Sequence, residues 1–102
     1  MNVHEAYNQL SAGVGSEIYY IGDRANLDGF GKITDEHHDK WHRTCTSFEP
    51  SLDIELDDGR VMLGISPLNF FGGGRRFMLR TEYVEKRKSA IAEMKKAIRY
   101  GA

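Results

Sequence analysis

The sequence lacks most features that would place it in a specialised class of protein. Its only cysteine is Cys45, so no disulfide can form within the chain, which fits a reducing compartment. No apolar run approaches the length of a membrane span. The N-terminus, MNVHEAYNQL, has neither the basic segment nor the apolar core of a signal peptide. We therefore expect a cytoplasmic protein that makes no use of a membrane.

Net charge is also nearly absent, at −1, but the charges are unevenly distributed. Residues 1–71 have 5 lysines and arginines against 12 aspartates and glutamates, whereas residues 72–102 have 9 against 3. Such asymmetry indicates that the basic C-terminal part contacts something negative. Nucleic acid, another protein and the acidic body of the same chain all fit that description.

The length and composition are those of one globular domain over residues 1–102. An N-terminal helix is predicted within residues 1–13, because apolar side chains recur there at helical spacing and Asn2 can cap it. A second, basic helix is predicted over residues 81–100. The residues between the two helices are rich in β-branched and aromatic types separated by turn residues, which predicts short strands.

The clearest strand signal is the hairpin DIELDDGRVMLGI, residues 53–65. Asp58-Gly59 is a two-residue turn of the kind that hairpins prefer. Hydrophobic alternation agrees with the register that this turn sets. The side chains that the register directs toward the core are Ile54, Leu56, Val61 and Leu63.

The order of segments resembles an SH3-like barrel of the KOW or Tudor type over residues 16–80. The resemblance rests on a strand, a turn-rich loop, the stretch G-F-G-K-I, the hairpin, a proline-containing 3₁₀ turn and a last short strand. It implies a mostly β fold of the α+β class, a five-stranded antiparallel barrel with flanking helices. It also implies a module that binds peptides, modified tails or nucleic acid and is not an enzyme.

A cluster of metal-ligand types occurs in HHDKWHRTC, residues 37–45. On a helix, His38, His42 and Cys45 would share a face, their atoms suit zinc, and Asp35 or Asp39 would complete four ligands. The spacing matches no familiar zinc motif, and the same residues fit the polar tip of a hairpin with Trp41 folded back and Cys45 in the core. The sequence favours the hairpin tip, so no cofactor is predicted.

Catalytic machinery is not evident. Cys45 and a neighbouring histidine would make a nucleophile pair, but no third group or oxyanion hole accompanies them. We therefore predict no enzymatic activity and no catalytic residue.

The basic C-terminal part supplies the main candidate binding surface. Its glycine-rich stretch, residues 72–74, would let backbone approach a phosphate, and Phe70, Phe71, Tyr19 or Trp41 would stack on bases. The candidate residues for nucleic-acid or partner binding are Arg75, Arg76, Arg80, Lys86, Arg87, Lys95, Lys96, Arg99, Trp41 and Phe71.

Three functions follow, in order of preference. The first is a non-enzymatic regulatory module that recognises a protein partner, such as a small inhibitor from a phage or mobile element. The second is nucleic-acid binding through the basic strand and helix. The third is a zinc-binding domain. A monomer and a homodimer both fit, since Val84, Ile91 and Ile98 repeat every seven residues.

Overall fold

The computed structural model describes residues 1–38 and 49–99. The two helices are the predicted ones, and five strands and a 3₁₀ helix lie between them. In chain order the elements are α1 (Val3–Leu10), β1 (Glu17–Tyr20), β2 (Gly29–His37), β3 (Ser51–Leu56), β4 (Val61–Ile65), the 3₁₀ helix (Pro67–Phe70), β5 (Phe77–Leu79) and α2 (Arg80–Arg99).

The strands form one antiparallel sheet in the order β4-β3-β2-β1-β5. The α+β class, the five strands and the two helices are therefore as predicted. Strands β4 and β5 are the two edges, and no ladder joins them among residues 1–38 and 49–99. The sheet is open there, and the predicted barrel is not shown.

The core lies on one face of this sheet, which α1 and the 3₁₀ helix cover. Alternation explains its composition, because every second residue of a strand points to the same face. The buried cluster comprises Leu10, Ile18, Tyr20, Ile33, Leu52, Ile54, Leu56, Phe70 and Phe77.

The hairpin between β3 and β4 has a different turn from the one predicted. Leu56 N donates to Arg60 O at 2.8 Å and Gly59 N donates to Leu56 O at 2.9 Å, so residues 57–59 form a three-residue loop. Gly59 has φ +96°, which is the left-handed residue that such a loop requires. Asp58 favours this turn by accepting from Arg60 N at 3.0 Å.

Compared with the predicted two-residue turn, the three-residue loop shifts the pairing of β4 with β3 by one residue. Val61 now pairs with Glu55 and Met62 pairs with Ile54. Because side chains alternate, the one-residue slip exchanges the faces of β4. Val61 and Leu63 are 58% and 69% exposed, so the prediction that they face the core is wrong, whereas the burial predicted for Ile54 is confirmed.

Helix α1 begins at the predicted cap. Asn2 Oδ1 accepts from Glu5 N at 2.8 Å, which satisfies one of the free amides of the first turn. The Tyr7 hydroxyl donates to Glu36 on β2 and ties the helix to the sheet. This hydrogen bond raises the pKa of Tyr7 and lowers the pKa of Glu36, since it stabilises the carboxylate and the neutral phenol together.

Helix α2 packs on the sheet only through its first turns. The Tyr83 ring lies 4.3 Å from the Tyr19 ring and 5.1 Å from the Phe30 ring, measured between centroids. From Val84 to Lys96 every side chain is exposed. The helix therefore projects from the body, consistent with overall dimensions of 59 × 30 × 26 Å.

Candidate partner-binding surface

Two arginines before α2 are held by acidic groups of the same chain. Arg76 Nη1 lies 2.8 Å from Asp23 Oδ2, and Arg75 Nη1 lies 2.9 Å from Glu82 Oε1. Hydrogen bonds from the Ala25 amide and from Arg76 lower the pKa of Asp23, and Asp23 in turn raises the pKa of Arg76. Part of the positive charge of the C-terminal segment is thus paired with acidic side chains of the same chain.

Arg80 is also engaged, at the point where α2 meets the sheet. Its guanidinium carbon lies 4.7 Å from the centroid of the Phe30 ring, and its Nη1 lies 3.6 Å from Glu17 Oε2. The planar guanidinium suits stacking on an aromatic face. Arg80 therefore anchors the helix, together with the contacts of Tyr83.

The backbone amides that follow the glycine-rich stretch are hydrogen-bonded to carbonyls of the same segment. Arg75 N donates to Gly72 O at 3.4 Å, and Arg76 N donates to Asn69 O at 2.9 Å, so neither amide is presented to a phosphate. Phe70 is buried in the core, and Phe71 is half-buried against it, because the 3₁₀ helix turns this segment inward. The prediction that these rings are exposed for stacking is therefore wrong for Phe70 and weakened for Phe71.

The cations farther along α2 are in a different situation. Arg87, Lys95 and Lys96 are exposed and form no ion pair with any described residue. A helix turns through about 100° per residue, so Arg87 and Lys95 are about 80° apart and Lys96 lies about opposite Arg87. Lys86 is 3.7 Å from Glu82 on the helix surface. The predicted basic residues thus surround the helix and do not form one stripe.

The apolar side chains of α2 do form a stripe. Val84, Ile91 and Met94 lie at spacings of seven and three residues, which places them on one side of the helix. All three are exposed. We call this set the α2 stripe.

A cleft of about 470 Å³ lies at the root of the α2 stripe. Its apolar wall includes Leu79 and Val84, and Glu17, Arg80 and Glu85 supply charge. The cleft and the stripe share Val84, so they form one continuous surface from the sheet to the projecting helix.

The predicted zinc ligands are described only in part. His38 Nε2 lies 3.4 Å from Glu36 Oε1, and the His38 ring meets the Tyr7 ring edge-on with centroids 4.9 Å apart. His42, Cys45, Trp41 and the side chain of Arg99 lie outside the described residues. His38 follows strand β2, which pairs with β3 up to His37 and Ser51. The rest of the predicted hairpin tip lies outside the described residues.

A second group of metal-ligand types was not predicted as a unit. Asp35, His37 and Asp53 each offer one ligand atom, and these three atoms lie within 4.8 Å of one another. The sequence places Asp35 and His37 on one side of a strand by their spacing of two residues. It contains no signal that Asp53, on the next strand, lies opposite them.

The chain matches no family model, no curated protein and no solved structure. Among residues 1–38 and 49–99, no helix combines the length and the apolar character that crossing a bilayer requires.

Proposed function

We propose that this chain is a non-enzymatic regulatory module that recognises a protein partner through α2. The observation that supports this proposal is the projecting helix with its exposed α2 stripe. Most helical stability in proteins comes from packing an apolar face, and within residues 1–38 and 49–99 the contacts of α2 with the sheet come from its first turns. A small cytoplasmic regulator, such as an inhibitor from a phage or mobile element, would use the helix in this way.

The chemistry of the stripe and its surroundings defines the partner. Apolar residues separated by two turns and one turn are the pattern of a helix that inserts into a groove. Lys95 lies beside the α2 stripe and Arg87 lies within it, and neither forms an ion pair with a described residue. We therefore propose an apolar groove with an acidic rim on another protein.

The finer fold proposal is an SH3-like barrel that is open between its edges. Strands β1 to β4 form a meander, and β5 returns to pair with β1. This connectivity is what a five-stranded barrel has when one seam is unpaired. The proposal gives the sheet a supporting role, since it fixes the root of α2 through Tyr19 and Phe30.

Capture of proteins from the native host, compared between variants, tests the function. Ile91→Glu places a charge in the stripe at an exposed position and leaves the fold intact. Glu93→Gln, on another side of α2, is the matched control. We expect one partner to be retained by the native chain and by the control but lost by Ile91→Glu, and to bind again when both proteins are purified.

Three results would contradict the proposal. These are robust turnover of a small substrate, capture that Ile91→Glu does not alter, and sedimentation showing that a second copy of this chain occupies the stripe.

Nucleic-acid binding is the second candidate, and the exposed cations Arg87, Lys95 and Lys96 favour it. A gel-shift series at rising salt separates it from protein recognition, because phosphate contacts weaken steeply with salt. Replacing these three residues by alanine would abolish such binding. Replacing Arg75 and Arg76, which are paired within the chain, would weaken it less. No shift at low salt excludes this candidate.

A further inference from the structure

Two β-bulges meet at Asp53 on the outer face of the sheet. Between β2 and β3 the register shifts between Ile33 and Asp35, and between β3 and β4 it shifts between Leu52 and Ile54. Regular alternation would place Asp35 on the same face as the buried Ile33. The first bulge reverses that face, so Asp35 becomes the direct partner of Asp53.

The second bulge fixes the carboxylate of Asp53. Gly64 has φ +66°, and its amide donates to Asp53 Oδ1 at 2.9 Å. The other oxygen, Oδ2, lies 2.7 Å from His37 Nε2, and this nitrogen lies 3.5 Å from Asp35 Oδ2. Two carboxylates and one imidazole therefore converge, and their orientation is set by backbone geometry on both sides of β3.

The group offers a cation two carboxylates and one imidazole, with an open side. Carboxylates placed directly opposite each other on neighbouring strands repel and destabilise a sheet. Asp53 and His37 are largely buried, whereas Asp35 is 61% exposed and leaves the group open to solvent on one side. An ion can enter from that side without moving the buried members.

Ser51 provides an independent observation next to this group. It lies opposite His37 and two residues before Asp53, so strand alternation places its side chain on the face that carries the group. Ser51 is 2% exposed, and its hydroxyl makes no hydrogen bond to any described residue. A buried hydroxyl without a partner is unfavourable, and a water molecule on a cation bound by the group would supply that partner.

We propose that Asp35, His37 and Asp53 bind one divalent transition-metal ion. Imidazole nitrogen with carboxylate oxygens suits ions such as Zn²⁺ and Mn²⁺, whereas Ca²⁺ takes six to eight oxygen ligands. The site shares Asp35 with the zinc cluster that the sequence indicated but otherwise uses different residues. His38 contacts Glu36 and Tyr7, away from this group, and is not a member of it.

Metal titration of the tag-free, full-length protein tests the proposal. The probes are Zn²⁺ and Mn²⁺, followed by calorimetry and by metal analysis after dialysis, with Mg²⁺ as the comparison ion. The variants are His37→Gln and Asp35→Asn. Their matched controls are His38→Gln, which changes the adjacent histidine, and Asp57→Asn, which changes an exposed aspartate in the β3–β4 turn.

We expect about one equivalent of Zn²⁺ or Mn²⁺ in the native protein and in both controls. Each of the two site variants should weaken binding by more than about tenfold, since even groups that only orient a metal ligand contribute 10–100-fold. Circular dichroism without metal checks that the variants are folded. Because Asp35 is exposed, we expect Asp35→Asn to disturb the fold less than His37→Gln.

Three outcomes would overturn the proposal. The first is no binding of either ion at millimolar concentration, which would make His37 only a counter-charge for the two carboxylates. The second is binding that His37→Gln leaves unchanged. The third is loss of binding in His38→Gln, which would place the metal on the other histidine.

Discussion

Replacing Gly31 by alanine tests a close approach between strands β2 and β3. A Cβ at this position would lie 2.4 Å from Glu55 O and 2.8 Å from Leu56 Cα, whereas ordinary contacts begin at 3.4 Å. The obstructing atoms are backbone and cannot rotate away. Strands β2 and β3 would have to separate by about 1 Å, which would also stretch the 2.8 Å hydrogen bond from Asp57 N to Phe30 O beyond its normal range.

The cost follows from these two effects. Overpacking a tight site costs about 1–3 kcal/mol, and a lost hydrogen bond adds about 1 kcal/mol. We therefore expect Gly31→Ala to lower the free energy of unfolding by about 2–4 kcal/mol. For a domain of this size, that corresponds to a fall in melting temperature of roughly 10–25 °C.

Gly29→Ala is the matched control, two residues earlier on the same strand. Its Cβ would meet only Arg60 Nη2 at 3.4 Å, which is the end of a flexible side chain. The change should alter stability by less than about 0.5 kcal/mol. Urea denaturation followed by circular dichroism measures both variants. If Gly31→Ala unfolds within 0.5 kcal/mol of the native chain at an unchanged m-value, the strands are not in close contact there.

Two further predictions concern ionisation. Tyr7→Phe should raise the pKa of Glu36 toward its ordinary value of 4.5, because the Tyr7 hydroxyl is the main cause of the depression. Because the pKa of Glu36 is depressed in the folded state, the contact stabilises the fold above pH 4.5, and this stabilisation is lost as pH falls through the folded-state pKa. The difference in stability between Tyr7→Phe and the native chain should therefore narrow in acid. An NMR titration in which the pKa of Glu36 is the same in both chains would contradict the reasoning. The Tyr19 hydroxyl donates a hydrogen bond to Asp28, and this bond raises the pKa of Tyr19 to about 12. The stability that the bond contributes is complete below pH 10 and is lost as pH rises through 12. Asp28→Ala should return the titration of Tyr19, followed by tyrosinate absorbance, toward pH 10, and an unchanged curve would exclude the contact.

The sequence predicted the features that depend on nearby residues. The cap of α1 at Asn2 and the extent of α2 both follow from hydrogen bonds or periodicities within a few residues. The seven-residue repeat of Val84 and Ile91, two members of the α2 stripe, follows from the same helical periodicity. Local patterns of this kind survive whatever the rest of the chain does, because the groups that interact are close in sequence.

The arginine contacts could not be predicted residue by residue. Arg76 pairs with Asp23, which is 53 residues away, and Arg80 stacks on Phe30, which lies 50 residues earlier in the chain. The composition indicated only that the basic part and the acidic part were complementary. Which cations remain exposed for a partner depends on where the strands carry their acidic side chains.

The sequence alone predicted the two helices, the five-stranded antiparallel arrangement and the hairpin that joins β3 and β4. Only the tertiary structure decided which face each strand presents near Asp53 and the β3–β4 turn. One inserted residue at a bulge or turn reverses the orientation of every side chain beyond it, and the choice depends on packing summed over several strands. That is why Val61 and Leu63 lie in solvent, and why Asp35 and Asp53, 18 positions apart in the chain, face each other across His37.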